Sequence, residues 1–256
     1  MISYFFLQLG IGLPACAALV PTRLVGKGFF LLNGVIGGFS LAIAYGIGGD
    51  TFRAAPVSYL FWVTALSLAA FLALQFTRFR STGLLVLAPV IIAGGILLVN
   101  LSLHYRAAFE AGTPPLLLGA DALLGALLLG SVLAAMNLGH WYLVTPGLPI
   151  SILKRLTLMF AASLAGRILL MGAVGYLVWR GQMPVPEQFL LANGIFLAQR
   201  ILFGFAVPCL LAVMIWKTVV IRSTQSATGI LYVAVFFILM GELVSRHLRF
   251  LSGIPF

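Results

Sequence analysis

Charged residues are scarce in this chain. Asp, Glu, Lys and Arg make up only 8% of its 256 residues, whereas a soluble globular protein carries about 25% charged residues. Hydrophobic residues make up 62% of the chain, and the mean hydropathy is +1.16. A water-soluble fold of this size would leave much of that apolar surface in contact with water. The composition therefore predicts an integral membrane protein.

Cysteine and histidine are also scarce, and their positions exclude several metal centres. The two cysteines, Cys16 and Cys209, lie in apolar runs without the spacing of metal or iron–sulfur ligands. The three histidines are His104, His140 and His247, and only the first and last are predicted on the same side of the membrane. A haem held between helices needs axial ligands at one depth. We therefore expect no intrinsic haem and no bound metal.

Acidic residues are outnumbered by basic ones. Five Asp and Glu stand against fifteen Lys and Arg, which gives a formal net charge of +10. In a soluble protein this excess would suggest nucleic-acid binding. Here the basic residues are spread along the chain, mostly at the ends of apolar runs, as membrane topology signals are. We therefore expect the lipid bilayer, and no nucleic acid, as a partner.

Apolar runs long enough to cross a bilayer recur along the chain. A spanning helix needs about 20 mainly apolar residues, and turn and charge signals separate the runs. The first run lacks a basic segment before it and a cleavage site, so we expect a retained helix. No linker could hold a second domain, so residues 1–256 are predicted to form one integral membrane domain, an all-α, polytopic transmembrane helix bundle with eight spans and short loops. The predicted spans are about 2–20, 29–48, 57–77, 82–103, 115–138, 156–178, 188–216 and 227–247.

Basic residues in the loops predict the orientation of the bundle, because cytoplasmic loops are enriched in Lys and Arg. The odd-numbered loops hold eight of them and the even-numbered loops hold three. This asymmetry puts the odd-numbered loops in the cytoplasm and both termini on the periplasmic side of a bacterial inner membrane. The eight are Arg23, Lys27, Arg78, Arg80, Lys154, Arg155, Lys217 and Arg222, and the three are Arg53, Arg106 and Arg180.

Four ionisable residues lie well inside the predicted spans, where a charge costs about 2.5–3.5 kcal/mol on insertion scales, and a fifth, Arg246, lies one turn beyond Glu242. The helix directions put all five in the central and periplasmic part of the bundle. Two interpretations stay open: structural ion pairs that fix helix packing, or a polar pocket for proton transfer or for a ligand headgroup. The excess of arginine favours a cavity that accepts carbonyl oxygens or anions. The residues are Asp121, Arg167, Arg200, Glu242 and Arg246.

Further candidate residues lie near the two predicted membrane boundaries. His140, Trp141 and Tyr142 lie at the cytoplasmic end of the fifth span, where aromatic residues anchor helices. His140 with Tyr142 is also a second candidate site, because imidazole titrates near neutrality and could exchange protons with a quinol. At the opposite boundary, His247 and Arg249 are expected to reach water and headgroups.

The last predicted span contains the sequence ILMGELVSRHLRF. It resembles the closing helix of the membrane-anchor subunits of dimethyl-sulfoxide-reductase-type and polysulfide-reductase-type enzymes, in which a Gly-Glu-Leu-x-x-Arg run recurs. The resemblance rests on Gly241, Glu242, Leu243 and Arg246. It implies eight spans, no haem, and a quinone-binding subunit that exchanges electrons with an iron–sulfur partner.

These observations predict a quinone-interacting subunit of a respiratory or redox membrane complex, with an iron–sulfur or cytochrome subunit as partner. Whether the chain is itself catalytic stays open, since such an anchor can be non-catalytic. In this role Glu242 and Asp121 would relay protons, and Arg246, Arg167 or Arg200 would hold carbonyl or acidic groups. Two alternatives are a transporter or channel for a small anion or polar solute, and a structural accessory subunit.

Overall fold

The computed structural model describes residues 1–77, 83–106, 113–145, 147–183, 185 and 187–256. Of these described residues, 85% are helical and none lies in a strand, which confirms the all-α prediction. A short 3-10 helix, Gly49–Phe52, follows the second α-helix, and a π-helical segment, Leu202–Ala206, joins the seventh to the eighth. The α-helices are α1 (Ile2–Ala17), α2 (Lys27–Gly48), α3 (Val57–Leu74), α4 (Gly83–Arg106), α5 (Pro115–Val144), α6 (Ser151–Trp179), α7 (Glu187–Ile201), α8 (Val207–Val220) and α9 (Thr224–Ser252).

Within the described residues, seven helical segments are long and apolar enough to cross a membrane. The chain is therefore a multi-pass helical membrane protein. The first predicted run, 2–20, forms α1, which has 16 residues and a length of about 24 Å at 1.5 Å per residue. Arg78 and Arg80, which count in the orientation argument, lie outside the described residues. The seven segments are Lys27–Phe52, Val57–Leu74, Gly83–His104, Pro115–Val144, Ser151–Trp179, Leu191–Val220 and Thr224–Ser252.

Helix α5 lies at the centre of the bundle and packs against α1, α4, α6 and α9. Two glycines allow α1 to approach it closely. A Cβ on Gly12 would overlap the carbonyl group of Ala126, and a Cβ on Gly130 would overlap the main chain of Gly12. Small residues at such contacts let the backbones of membrane helices come together. The consequence is that α1 is buried on most sides, and that α5 can place a side chain at the centre.

The chain reverses direction after α9. Gly253 caps this helix in the left-handed conformation, with φ of 72°, which glycine adopts without the steric cost that a Cβ brings. The following residues fold back onto the bundle, where Ile254 and Phe256 are buried. Phe256 stacks on Phe189 of α7, with 6.0 Å between the ring centroids. This turn covers the end of the bundle at which the charged residues lie.

Candidate functional site

Five of the seven predicted site residues meet in one buried network. They come from four different helices, and the exposed fraction of each is 3% or less. Arg249 belongs to the same network, and we call these six residues the charged cluster. Its members are Asp121 on α5, Arg167 on α6, Arg200 on α7, and Glu242, Arg246 and Arg249 on α9.

Asp121 binds three arginines. Its Oδ1 accepts a hydrogen bond from Nη1 of Arg167. Its Oδ2 accepts from Nη1 of Arg246 at 2.5 Å and from Nη1 of Arg249 at 2.5 Å. Both carboxylate oxygens therefore act as acceptors of charged donors, which is the pattern of an ionised carboxylate.

Glu242 also binds three arginines. Arg167 donates two hydrogen bonds to it, from Nε to Oε1 at 3.2 Å and from Nη2 to Oε2 at 3.2 Å. Arg200 donates from Nη2 to Oε1 at 3.0 Å. Arg246 donates from Nη2 to Oε2 at 2.8 Å, which makes an i, i+4 ion pair within α9. Arg167 and Arg246 thus bridge the two carboxylates, while Arg200 binds Glu242 alone.

The prediction for Arg249 was wrong. Its side chain is buried rather than directed to water, because it binds Asp121 and also donates from Nη2 to Oγ of Ser102 on α4 at 2.7 Å. The sequence held a signal for this position. Glu242, Arg246 and Arg249 are spaced i, i+4 and i+7, so all three lie on one face of α9.

Neutral polar side chains surround the charged cluster. Ser245 accepts a hydrogen bond from Arg167 at 2.9 Å and donates to the main-chain oxygen of Phe256. Gln8 of α1 donates to the carbonyl oxygen of Ala122 at 2.8 Å. The ring of Tyr4 lies beneath two guanidinium groups of the cluster, at 5.6 Å and 5.4 Å from its centroid. Sequence reasoning did not select these residues, since single polar residues in apolar runs have no distinctive spacing.

Arg200 occupies a distinct position within the charged cluster. It lies at the end of α7, directly before the π-helical segment, a type of distortion often found at functional sites. The ring of Phe205 covers one face of its guanidinium group, with 4.2 Å between Cζ and the ring centroid. A Cβ on Gly204 would come within 2.7 Å of its Nη1, and a Cβ on Gly241 within 3.2 Å. The two glycines therefore make room for this arginine between α7 and α9.

His140 and Tyr142 lie far from the charged cluster. They follow Asp121 on α5 by 19 and 21 residues, which is about 28–32 Å along the helix axis. Tyr142 is buried and donates to the carbonyl oxygen of Pro149 at 2.6 Å. His140 is exposed, and its Nδ1 lies 3.5 Å from the hydroxyl oxygen of Tyr232. The two residues therefore point in different directions and do not share one site in this structure.

Comparisons with known proteins add no relative. No protein-family model, no curated protein and no solved structure matches the chain. Function is therefore inferred from the geometry of the charged cluster and from the short sequence resemblance of α9.

Proposed function

We propose that this chain is a quinone-interacting subunit of a redox complex in a bacterial inner membrane, without a haem of its own. The proposal is carried by one observation, the burial of two carboxylates among four arginines inside an apolar bundle. Charged side chains within membrane spans usually mark functional sites. A quinone enters from the lipid phase and presents carbonyl oxygens, which are suitable acceptors for guanidinium donors.

The short motif behind the family resemblance supports the same proposal. Glu242 and Arg246 bind each other within the charged cluster. Arg246 also binds Asp121, and Glu242 also binds Arg167, a partner of Asp121. Gly241 packs against Gly204 beside the guanidinium group of Arg200. Three of the four residues that resemble the anchor subunits therefore lie at the proposed site.

The chemistry of the charged cluster fits quinol oxidation. A quinol that is oxidised to a quinone releases two protons and two electrons. Asp121 and Glu242 are the proposed proton acceptors, each exchanging one arginine contact for a quinol hydroxyl group. The arginines would hold the quinone oxygens in place, and the two electrons would pass to an iron–sulfur or cytochrome subunit.

Replacing Glu242 tests this role. We expect Glu242→Gln to lower quinol oxidation by the assembled complex about tenfold or more, because one proton acceptor is lost. Asp50→Asn is the matched control, since Asp50 is an exposed acid paired only with Arg53 among the described residues. It should leave the rate unchanged. A normal rate per assembled complex together with a reduced yield of complex would instead support the structural accessory subunit.

The proposal includes eight spans, with α1 as the first and with both termini in the periplasm. Labelling of single cysteines with a membrane-impermeant reagent tests this, in a chain whose Cys16 and Cys209 are replaced by alanine. Two exposed residues serve as sites: Gln182 in the sixth loop, and Gln225 in the first turn of α9, directly after the seventh loop. We expect Gln182→Cys to be labelled in intact spheroplasts and Gln225→Cys only after lysis. Labelling of both from the same side would contradict the proposed topology.

Transport of a small anion is a second candidate function. The observation in its favour is that the helical segment carrying Arg200 is interrupted by the π-helical segment, with Pro208 directly beyond it. Interrupted helices frame the substrate sites of many transporters. Proteoliposomes containing only this chain should then show anion efflux that Arg200→Gln abolishes. Efflux no faster than from protein-free liposomes would remove this candidate.

A further inference from the structure

The charged cluster carries more positive than negative side chains. Its four arginines exceed its two carboxylates by two charges, and a guanidinium group keeps its charge in a protein. Among the described residues no further acid lies beside the cluster: Asp50 is exposed, and the main chain of Glu187 begins α7 about 20 Å along the helix from Arg200. Glu110 lies outside the described residues. Unpaired buried charge is strongly unfavourable, so the cluster favours an additional negative group.

The unused hydrogen-bond donors are concentrated on Arg200. Arg167 uses Nε, Nη1 and Nη2. Arg246 has both Nη atoms bonded and only Nε without a partner among the described residues. Arg200 is bonded through Nη2 alone, and its Nε and Nη1 are buried without a partner in the described part of the chain. Buried donors in this state carry an unfavourable desolvation cost that an acceptor would remove.

The surroundings of Arg200 define the chemistry of such an acceptor. Phe205 covers one face of the guanidinium group, and a hydrogen-bond acceptor approaches such a group in the plane of its N–H donors. A guanidinium group offers donors and no acceptor, which selects a ligand with acceptors only. The excess of positive charge selects a negative one. A small inorganic anion such as chloride or nitrate meets these requirements.

We infer that Arg200 binds a small inorganic anion through its Nε and Nη1 groups, and that this anion is a resident component of the charged cluster. The site goes beyond the proposed quinone function and does not depend on it. Arg167, Arg246 and Arg249 then act as partners of the two carboxylates, and Arg200 links that network to the anion.

Thermal unfolding of the purified, detergent-solubilised chain tests this inference. Sodium gluconate is replaced by sodium chloride or sodium nitrate at constant ionic strength. A ligand that binds only the folded state raises the Tm in a saturable way. We expect this rise in the natural chain and in Arg53→Gln, which removes an exposed arginine. We expect no rise in Arg200→Gln.

Arg200→Lys covers the case in which Arg200→Gln does not fold. It keeps the positive charge but lacks the planar set of donors, so we expect the half-saturating anion concentration to rise tenfold or more. Equal Tm values in gluconate and in chloride or nitrate would overturn the inference for the natural chain. An undiminished rise in Tm in Arg200→Gln or Arg200→Lys would show that the anion does not bind at Arg200, and would also overturn the inference. Quinol oxidation is measured in a separate experiment. If the proposed quinone function is wrong, the effect of the anion on the Tm can still be interpreted.

Discussion

The two ends of the bundle are held together by different interactions. At one end, side chains of four helices meet in the charged cluster. At the other end, about 24 Å along α5 from Asp121, the buried polar groups are neutral. Asn137 donates to the side-chain oxygen of Asn33 at 3.0 Å, and Asn33 donates to the carbonyl oxygen of Phe29 at 2.7 Å. The polar groups at both ends are buried, but only those of the charged cluster are ionised.

This difference supports the proposal that the functional site lies at the charged end. The neutral end joins α2 to α5 with one amide pair and close apolar packing, such as Phe29 against Trp141 with 6.5 Å between the ring centroids. Helix packing in a membrane is achieved at low cost by such contacts. The charged end gives no packing advantage that apolar side chains could not provide. We therefore interpret its charges as groups kept for ligand chemistry.

Removing the central acid should have the largest effect on stability. Asp121→Asn leaves Arg167, Arg246 and Arg249 with one carboxylate fewer to bind. Breaking a buried ionic network in this way costs about 3–5 kcal/mol. We expect a sharp loss of folded protein and a lower Tm in detergent.

Asp50→Asn is the control for that change, because Asp50 is exposed. Its yield and Tm should equal those of the natural chain. If Asp121→Asn behaves like this control, then the charges at this end are not coupled as the structure indicates, and the contrast between the two ends disappears.

An intermediate effect is expected at Arg249. The sequence alone predicted that Arg249 reaches water and headgroups, whereas the structure gives this side chain bonds to Asp121 and Ser102. Hydrogen bonds to charged groups contribute about 1.5–3 kcal/mol, and loss of one excess positive charge partly offsets this. We expect a measurable fall in Tm, smaller than for Asp121→Asn. A Tm equal to that of the natural chain would restore the original prediction.

The smallest effect is expected at the neutral end. Asn137→Ala removes the amide pair with Asn33. Hydrogen bonds between membrane helices contribute about 0.6 kcal/mol on average, so the Tm should fall only slightly and quinol oxidation should not change. A loss as large as that of Asp121→Asn would show that both ends depend equally on their polar contacts.

The sequence predicted most of the fold because its signal is simple. Seven predicted apolar runs correspond to helices long enough to cross a membrane, since run length and hydropathy directly reflect the thickness of a bilayer. Helix ends were less accurate. The fifth run was predicted as 115–138 but α5 extends to Val144, because aromatic residues at a boundary allow a helix to continue into the interface.

The sequence predicted the membership of the charged cluster better than its connections. Charge inside an apolar run selected Asp121, Glu242 and three arginines. Arg249 was missed because a position near a helix end is typical of a water-exposed arginine, whereas its i, i+7 spacing from Glu242 places it on the buried face of α9. The π-helical segment could not be predicted, since Leu202–Ala206 is an ordinary apolar sequence and the close approach of Gly204 to Gly241 is a tertiary contact.

A structure determined by electron microscopy from protein purified with its native lipids and quinone tests the central claim most directly. The account predicts a quinone headgroup at the charged cluster, with an oxygen within about 3.2 Å of an arginine nitrogen. A headgroup bound beside His140 and Tyr142, with the charged cluster unchanged and without contact to it, would contradict the account.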